Sequence, residues 1–172
     1  YTQIDYELSN KSKVTAGFQW NNPEGTDSDT SPRIAFVHQF TDSWASKFMY
    51  AEAYRSPYGS ELFFSSGFLN GDITLKPETI QTSEVQALYT GSTMAVTATF
   101  YISKAQDLIG RAIVDGSNTF VNLSGEISYT GFEIEWNWLI NNEFKFQGNA
   151  SYQSNEDELE QEDVMVAANE MI

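Results

Sequence analysis

Val96-Thr97-Ala98-Thr99-Phe100-Tyr101-Ile102-Ser103 changes character at nearly every residue. Val96, Ala98, Phe100 and Ile102 share one parity; Thr97, Thr99, Tyr101 and Ser103 share the other. A period of two sends alternate side chains to opposite faces of a sheet, and helical spacing fits the stretch less well. The same alternation recurs at Val14/Ala16/Phe18/Trp20, at Phe132/Ile134/Trp136/Trp138 and at Phe144/Phe146. Working outward, we read about eight strands, over residues 2–8, 13–21, 33–40, 44–54, 79–90, 94–106, 120–140 and 143–153. Several exceed the ~5–6 residues usual in soluble sheets. The seventh is long enough to need a bend or bulge near Gly125 or Gly131.

The connections alternate in length. Residues 9–12, 41–43, 91–93 and 141–142 read as tight turns; 22–32, 55–78, 107–119 and 154 onward read as long links. Pro23, Pro32, Pro57 and Pro77 fall in the long links or at their edges, where no ladder hydrogen bond is lost. Short turns at one end and long loops at the other describe an all-β, up-and-down antiparallel meander with the anatomy of an outer-membrane barrel. Phe40, Trp44, Tyr89, Trp138 and Phe144 lie beside the short turns, and Trp20, Tyr54, Phe132 and Tyr152 nearer the long loops, as two interfacial girdles would. Val14, Ala16, Phe18, Val96, Ala98 and Phe100 are expected to face lipid, and Thr15, Gln19, Thr97, Thr99, Glu133 and Glu135 the wet interior. On the fourth strand, Glu52 suggests that Phe48, Tyr50 and Tyr54 face the interior with it.

Composition narrows the function. Of 172 residues, 24 are acidic and 9 basic, a net charge of −15 that repels phosphate and argues against nucleic acid. The chain has no cysteine, so disulfides, thiolate metal sites and cysteine nucleophiles are excluded. His38 is the only histidine and reads as a plain strand residue; neither a metal site nor a histidine-dependent triad is expected. Glu133 and Glu135 read better as wall than as a glycosidase pair. Asp27, Asp29 and the run Glu156-Asp157-Glu158 with Glu160, Glu162 and Asp163 lack the glycine and ligand order of an EF-hand loop and read as solvated outer loops. The longest unbroken apolar runs, such as Val164–Ala168, are far short of the ~20 residues of a helical span.

Two blocks are more specific. Residues 50–62 run Tyr-Ala-Glu-Ala-Tyr-Arg-Ser-Pro-Tyr-Gly-Ser-Glu-Leu, and residues 70–79 run Asn-Gly-Asp-Ile-Thr-Leu-Lys-Pro-Glu-Thr. Together they resemble the "FRSPxxxEL … GNPxLKPET" signature in the barrel of TonB-dependent outer-membrane receptors, with Tyr54 in place of Phe and Ile73 in place of Pro. Asp107-Leu108-Ile109, Phe120-Val121-Asn122 and Gly131-Phe132-Glu133-Ile134-Glu135 are similar to a third block of that family.

The resemblance implies a sector of about eight strands from a 22-stranded transmembrane β-barrel, with residues 1–172 a fragment that lacks the plug domain and the closing strands. It implies TonB-energised uptake of a scarce nutrient, first among them a ferric siderophore, with no covalent chemistry, no cofactor and no metal site. Implied partners are outer-membrane lipid and lipopolysaccharide, the TonB complex through the plug, the extracellular ligand, and colicins or phages. Arg55, Ser56, Pro57, Leu75, Lys76, Pro77, Glu78 and Thr79 are expected to fasten loop to wall. Arg55, Tyr58, Phe63, Phe64 and Phe68 are the candidates to meet ligand. The competing classes are a soluble all-β sandwich or lectin-like binding module and a passive porin.

Overall fold

A computed structural model describes residues 1–22 and 28–159. Pro23, Asp27, Glu160, Glu162, Asp163 and the Val164–Ala168 run lie outside the described residues. Eight strands form one antiparallel meander: β1 (Thr2–Ser9), β2 (Ser12–Asn21), β3 (Asp29–Gln39), β4 (Trp44–Arg55), β5 (Glu78–Thr90), β6 (Met94–Gln106), β9 (Glu126–Leu139) and β10 (Lys145–Asp157). Between β4 and β5 lies a short helix, α1 (Gly59–Phe63). Between β6 and β9 lies a hairpin of β7 (Ile109–Val114) and β8 (Ser117–Asn122), a separate sheet.

The register aligns the alternations. Tyr6, Val14, Phe36, Phe48, Val85, Phe100, Phe132 and Tyr152 are consecutive cross-strand partners, one from each strand of the sheet. Partners directly opposite share a face. One face therefore carries an unbroken apolar row, and nothing in the described chain covers it: Tyr6, Phe36's neighbour Ile34, Phe48, Phe100 and Phe132 are all exposed. The opposite face is polar. Its rows include Glu7, Lys13, Lys47, Gln86, Thr99 and Glu133, and Asp5, Thr15, Glu84, Tyr101 and Gln153.

This register corrects the fourth strand. Phe48 and Tyr50 lie on the apolar face, opposite Phe36 and Ile34; Lys47 and Met49 lie on the polar one. Glu52 shares the parity of Phe48 but stands higher, in a row with Gln81, Lys104 and Ser128. That row is polar although it lies on the apolar face, so Glu52 marks the upper limit of the apolar band and says nothing of the strand below it.

The aromatic levels are partly redistributed. Trp44 stands opposite Tyr89 beside the short turns, their rings 5.0 Å apart, and Trp136 stacks with Phe146 at 6.1 Å. Phe132 and Tyr152, expected near the long loops, occupy the middle row with Phe36 and Phe100.

The strand expected over 120–140 is two elements. Gly125 adopts φ +98°, and a Cβ there would meet the Glu158 carbonyl oxygen at 2.3 Å. The chain breaks at this glycine, with β8 on one side and β9 on the other. Gly131 has a different task. The Tyr101 ring lies over it so that the Tyr101 hydroxyl donates to Gln153 Oε1 at 2.7 Å on the strand beyond.

Pro32 lies inside β3 and not at the margin of a link. The ladder parity explains why it is tolerated. Gln39 N–H donates to Lys11 and Phe40 N–H to Trp44, so odd residues of β3 bond toward β2 and even residues toward β4. Pro32 would donate toward β4, and the β3–β4 ladder stops one residue short, at Arg33 opposite Ala51.

Candidate functional site

The signature residues converge where β4 and β5 meet the long loop between them. Arg55 and Glu78 are the last cross-strand pair of β4 and β5. The Arg55 guanidinium donates from Nε to Glu78 Oε2 at 2.6 Å, and with its two terminal nitrogens to both oxygens of Glu61 at 2.9 and 3.2 Å. A planar fork against a carboxylate gives this second contact both direction and strength. Glu61 also reaches back to the Tyr58 N–H at 2.7 Å, closing the first turn of α1. The Tyr58 ring lies 4.8 Å from the Arg55 guanidinium carbon. Two carboxylates thus take up the one cation, and the knot joins a strand end, a helix start and the next strand.

Burial follows the same residues. Pro57, Leu62, Leu75 and Pro77 are buried, while buried hydrophobic side chains are otherwise few among the described residues. Gly71 passes so close to α1 that a Cβ would sit 2.6 Å from the Leu62 carbonyl carbon. Only a residue without a side chain fits that approach. Asp72 accepts from the hydroxyl and the N–H of Thr74, each at 2.7 Å. The hydroxyl first, then the N–H, hold the Asp72 carboxyl below its ordinary range.

A second loop is tied to the first. Glu78 Oε1 accepts from the Ile109 N–H at 2.8 Å. Asn122, on β8, accepts from the Lys76 N–H at 2.8 Å and donates to the carbonyls of Lys76 at 3.0 Å and Asp107 at 2.7 Å. The Asn70 carbonyl accepts from Phe120 N–H at 3.0 Å, and Asn70 N–H donates to Asn118 at 2.9 Å. The three sequence blocks, far apart in the chain, therefore form one assembly.

Of the expected site residues, Arg55, Pro57, Leu75, Pro77 and Glu78 are brought together here. Lys76 contributes its main chain; its ammonium forms no ion pair among the described residues. Ser56 and Thr79 flank the knot in sequence. Tyr58, Phe63, Phe64 and Phe68 are all exposed, Phe68 at 87%. Glu61 and Asn122 join the site without being among the expected residues; the Pro-x-x-x-Glu spacing is the local signal for Glu61. Among the described residues no group of acidic or histidine side chains is gathered to hold a metal ion. His38 bonds Ser12 Oγ at 2.8 Å and meets the Phe40 ring edge-on, as a strand residue.

A family model described as TonB dependent receptor-like, beta-barrel, matches residues 1–169. No curated protein matches the sequence. Among solved structures, the siderophore receptor PirA from Acinetobacter baumannii superimposes with a TM-score of 0.81 at 16% identity, over 92% of this chain and 27% of its own. A variant of the ferric enterobactin receptor PfeA from Pseudomonas aeruginosa, solved in complex with enterobactin, gives 0.78 at 18% identity, over 88% and 26%. The copper transporter OprC gives 0.68 at 19% identity, over 90% and 28%. The chain spans between a quarter and a third of the length of each.

Proposed function

The chain belongs to the TonB-dependent receptor β-barrel family, and on that premise we propose that it forms a sector of the wall of an outer-membrane transporter for a scarce nutrient, a ferric siderophore first among the candidates. The observation that carries this reading is the apolar row that crosses all eight strands without a cover. A soluble sandwich buries such a row against a second sheet; here lipid tails solvate it. The height agrees. From Trp44 to the polar row at Glu52 is eight residues, about 27 Å of strand at ~3.4 Å per residue. At a tilt of ~40° this rises about 21 Å, near the ~25 Å apolar band of membrane barrels. The polar face then lines the bore.

In this reading the knot around Arg55 fastens the outer loop to the wall, since its cation is already matched by Glu61 and Glu78. Ligand contact falls to the exposed Tyr58, Phe63, Phe64 and Phe68. The residues hold and shape; no covalent step is assigned to them. The TonB complex supplies energy through parts of the parent receptor beyond this sector. Lipopolysaccharide surrounds the wall, and colicins or phages are further users of its outer loops.

The test is uptake of radiolabelled ferric enterobactin and a panel of other ferric chelates by cells producing the full-length receptor. Accumulation of at least one chelate that stops when TonB is deleted is expected. Uptake that persists without TonB would assign a passive porin. A soluble, monodisperse, cooperatively folding product made without detergent would assign a binding module.

A further inference from the structure

Asn70-Gly71 is the only Asn-Gly pair in the chain. Such a pair is chemically labile. A glycine has no side chain, so its nitrogen is open to close on the carboxamide carbon of the residue before it. The structure restrains this peptide. Asn70 bridges β8 in parallel, its N–H donating to the Asn118 carbonyl at 2.9 Å and its carbonyl accepting from the Phe120 N–H at 3.0 Å. On its other side it bridges Ser65, and there the Gly71 N–H, on the nitrogen that would attack, donates to the Phe64 carbonyl at 2.6 Å. The next amide, Asp72 N–H, donates to the Glu61 carbonyl at 2.9 Å. The glycine cannot be exchanged, since the Leu62 main chain leaves no room for a Cβ. A reactive dipeptide is therefore the by-product of a close approach.

Half of that restraint comes from the β7–β8 hairpin. The hairpin leaves the wall at Asp107 and Gly125, both at positive φ (53° and 98°). It lies as a strap on the β4–β5 loop, fastened at three points. β8 holds the main chain of Asn70, Asn122 holds both main-chain groups of Lys76, and the Ile109 N–H of β7 rests on Glu78. While these fastenings hold, Asn70 stays extended between two neighbours and the Gly71 nitrogen stays engaged. The labile peptide is freed only when the strap lifts.

We propose that Asn70 is a covalent modification site that the hairpin keeps latent, and that lifting of the strap lets the Gly71 nitrogen attack Asn70 Cγ. The new C–N bond forms as the Cγ–Nδ2 bond breaks. The proton of the Gly71 nitrogen leaves with Nδ2 as ammonia, and a cyclic imide remains. Water opens the ring at either carbonyl, giving aspartate or isoaspartate. Isoaspartate inserts a methylene into the main chain and turns the Asn70 carbonyl, the acceptor for Phe120, into a pendant carboxylate. The bridge to β8 cannot re-form, so a strap that has lifted and reacted stays loose. The inference does not depend on the cargo of the receptor.

The experiment incubates the full-length receptor in detergent, in mildly alkaline buffer, and follows Asn70 by digestion and mass spectrometry. The same receptor digested before incubation gives the rate of the unrestrained peptide. Conversion in the folded receptor is expected to be about tenfold slower than in the digest. Asn122→Ala removes the fastening at Lys76. It should speed conversion in the folded receptor about tenfold and leave the digest rate unchanged. Once isoaspartate has accumulated, the Phe120 amide should exchange about tenfold faster. Asn70→Asp, which keeps the main-chain spacing, should leave that amide protected. Equal conversion in folded receptor and digest would overturn the proposal. So would a wild-type rate in folded Asn122→Ala, or a protected Phe120 amide beside isoaspartate. If Asn122→Ala does not fold, urea below the unfolding midpoint loosens the lobe of the native sequence, and conversion that fails to rise with urea sinks the idea. No readout involves transport, so each result leaves TonB-dependent uptake untouched.

Discussion

Asn122 bonds to Lys76 as the main chain of a neighbouring strand would, accepting from its N–H at 2.8 Å and donating to its carbonyl at 3.0 Å. One side chain thereby replaces a ladder rung between two loops that share no sheet. Asn122→Ala should leave both groups of Lys76 and the Asp107 carbonyl without this partner, costing about 1–3 kcal/mol locally. Faster amide exchange at Lys76 with unchanged exchange in β5 and β6 is the expected pattern. Asn122→Asp, which keeps the acceptor and loses the donor, should fall between.

The Arg55 knot predicts strong coupling. Its side chain is one-third exposed, while those of Glu61 and Glu78 are more sheltered, at 12% and 19%. Arg55→Met should destabilise the loop by about 1–2 kcal/mol, less than a fully buried pair because solvent screens part of it. A cycle with Glu78→Gln should show that the two changes together cost less than their sum. Additive costs would mean that the pair does not act as a unit.

Gly131 must stay bare. A Cβ there would sit 2.2 Å from the Tyr101 ring. Gly131→Val should displace the ring, break its bond to Gln153 and cost about 1–3 kcal/mol through overpacking. Gly131→Val with Tyr101→Ala should recover part of the loss, read from the denaturant midpoint of the folded barrel.

The Asp72 turn predicts a pH effect on the loop. A carboxyl held below its ordinary range stabilises the folded loop above the unfolded-state value. That contribution disappears as pH falls through the lower, folded value. Exchange at Thr74, corrected for its intrinsic pH dependence, should therefore remain protected until the medium is more acidic than the ordinary aspartate range. Asp72→Ala should remove both the protection and its pH dependence.

Much of the wall was legible because alternation and register express the same constraint. Val96 to Ser103 announces two faces by itself, and pairing with β5 and β9 only repeats the statement. On the fourth strand one charge misleads about a whole parity: Glu52 stands above the apolar band and Phe48 within it. The β7–β8 hairpin carries a local signal. Asp115-Gly116, both at positive φ (50° and 79°), is the two-residue turn that such a pair of residues favours. The Arg55–Glu78 contact was less accessible, since it depends on the register of two strands across a long loop. Nor does any local pattern show that the Pro32 nitrogen faces β4 and not β2, at the point where the β3–β4 ladder ends.

The apolar row has a consequence for biogenesis. Greasiness here belongs to the assembled sheet and not to the polypeptide, because Tyr6, Val14 and Phe36 become one surface only when their ribbons are joined. A newly made copy offers an insertion machinery no stretch to arrest as a helix, and so remains transportable through water until zippering creates the very skin that commits it to oil.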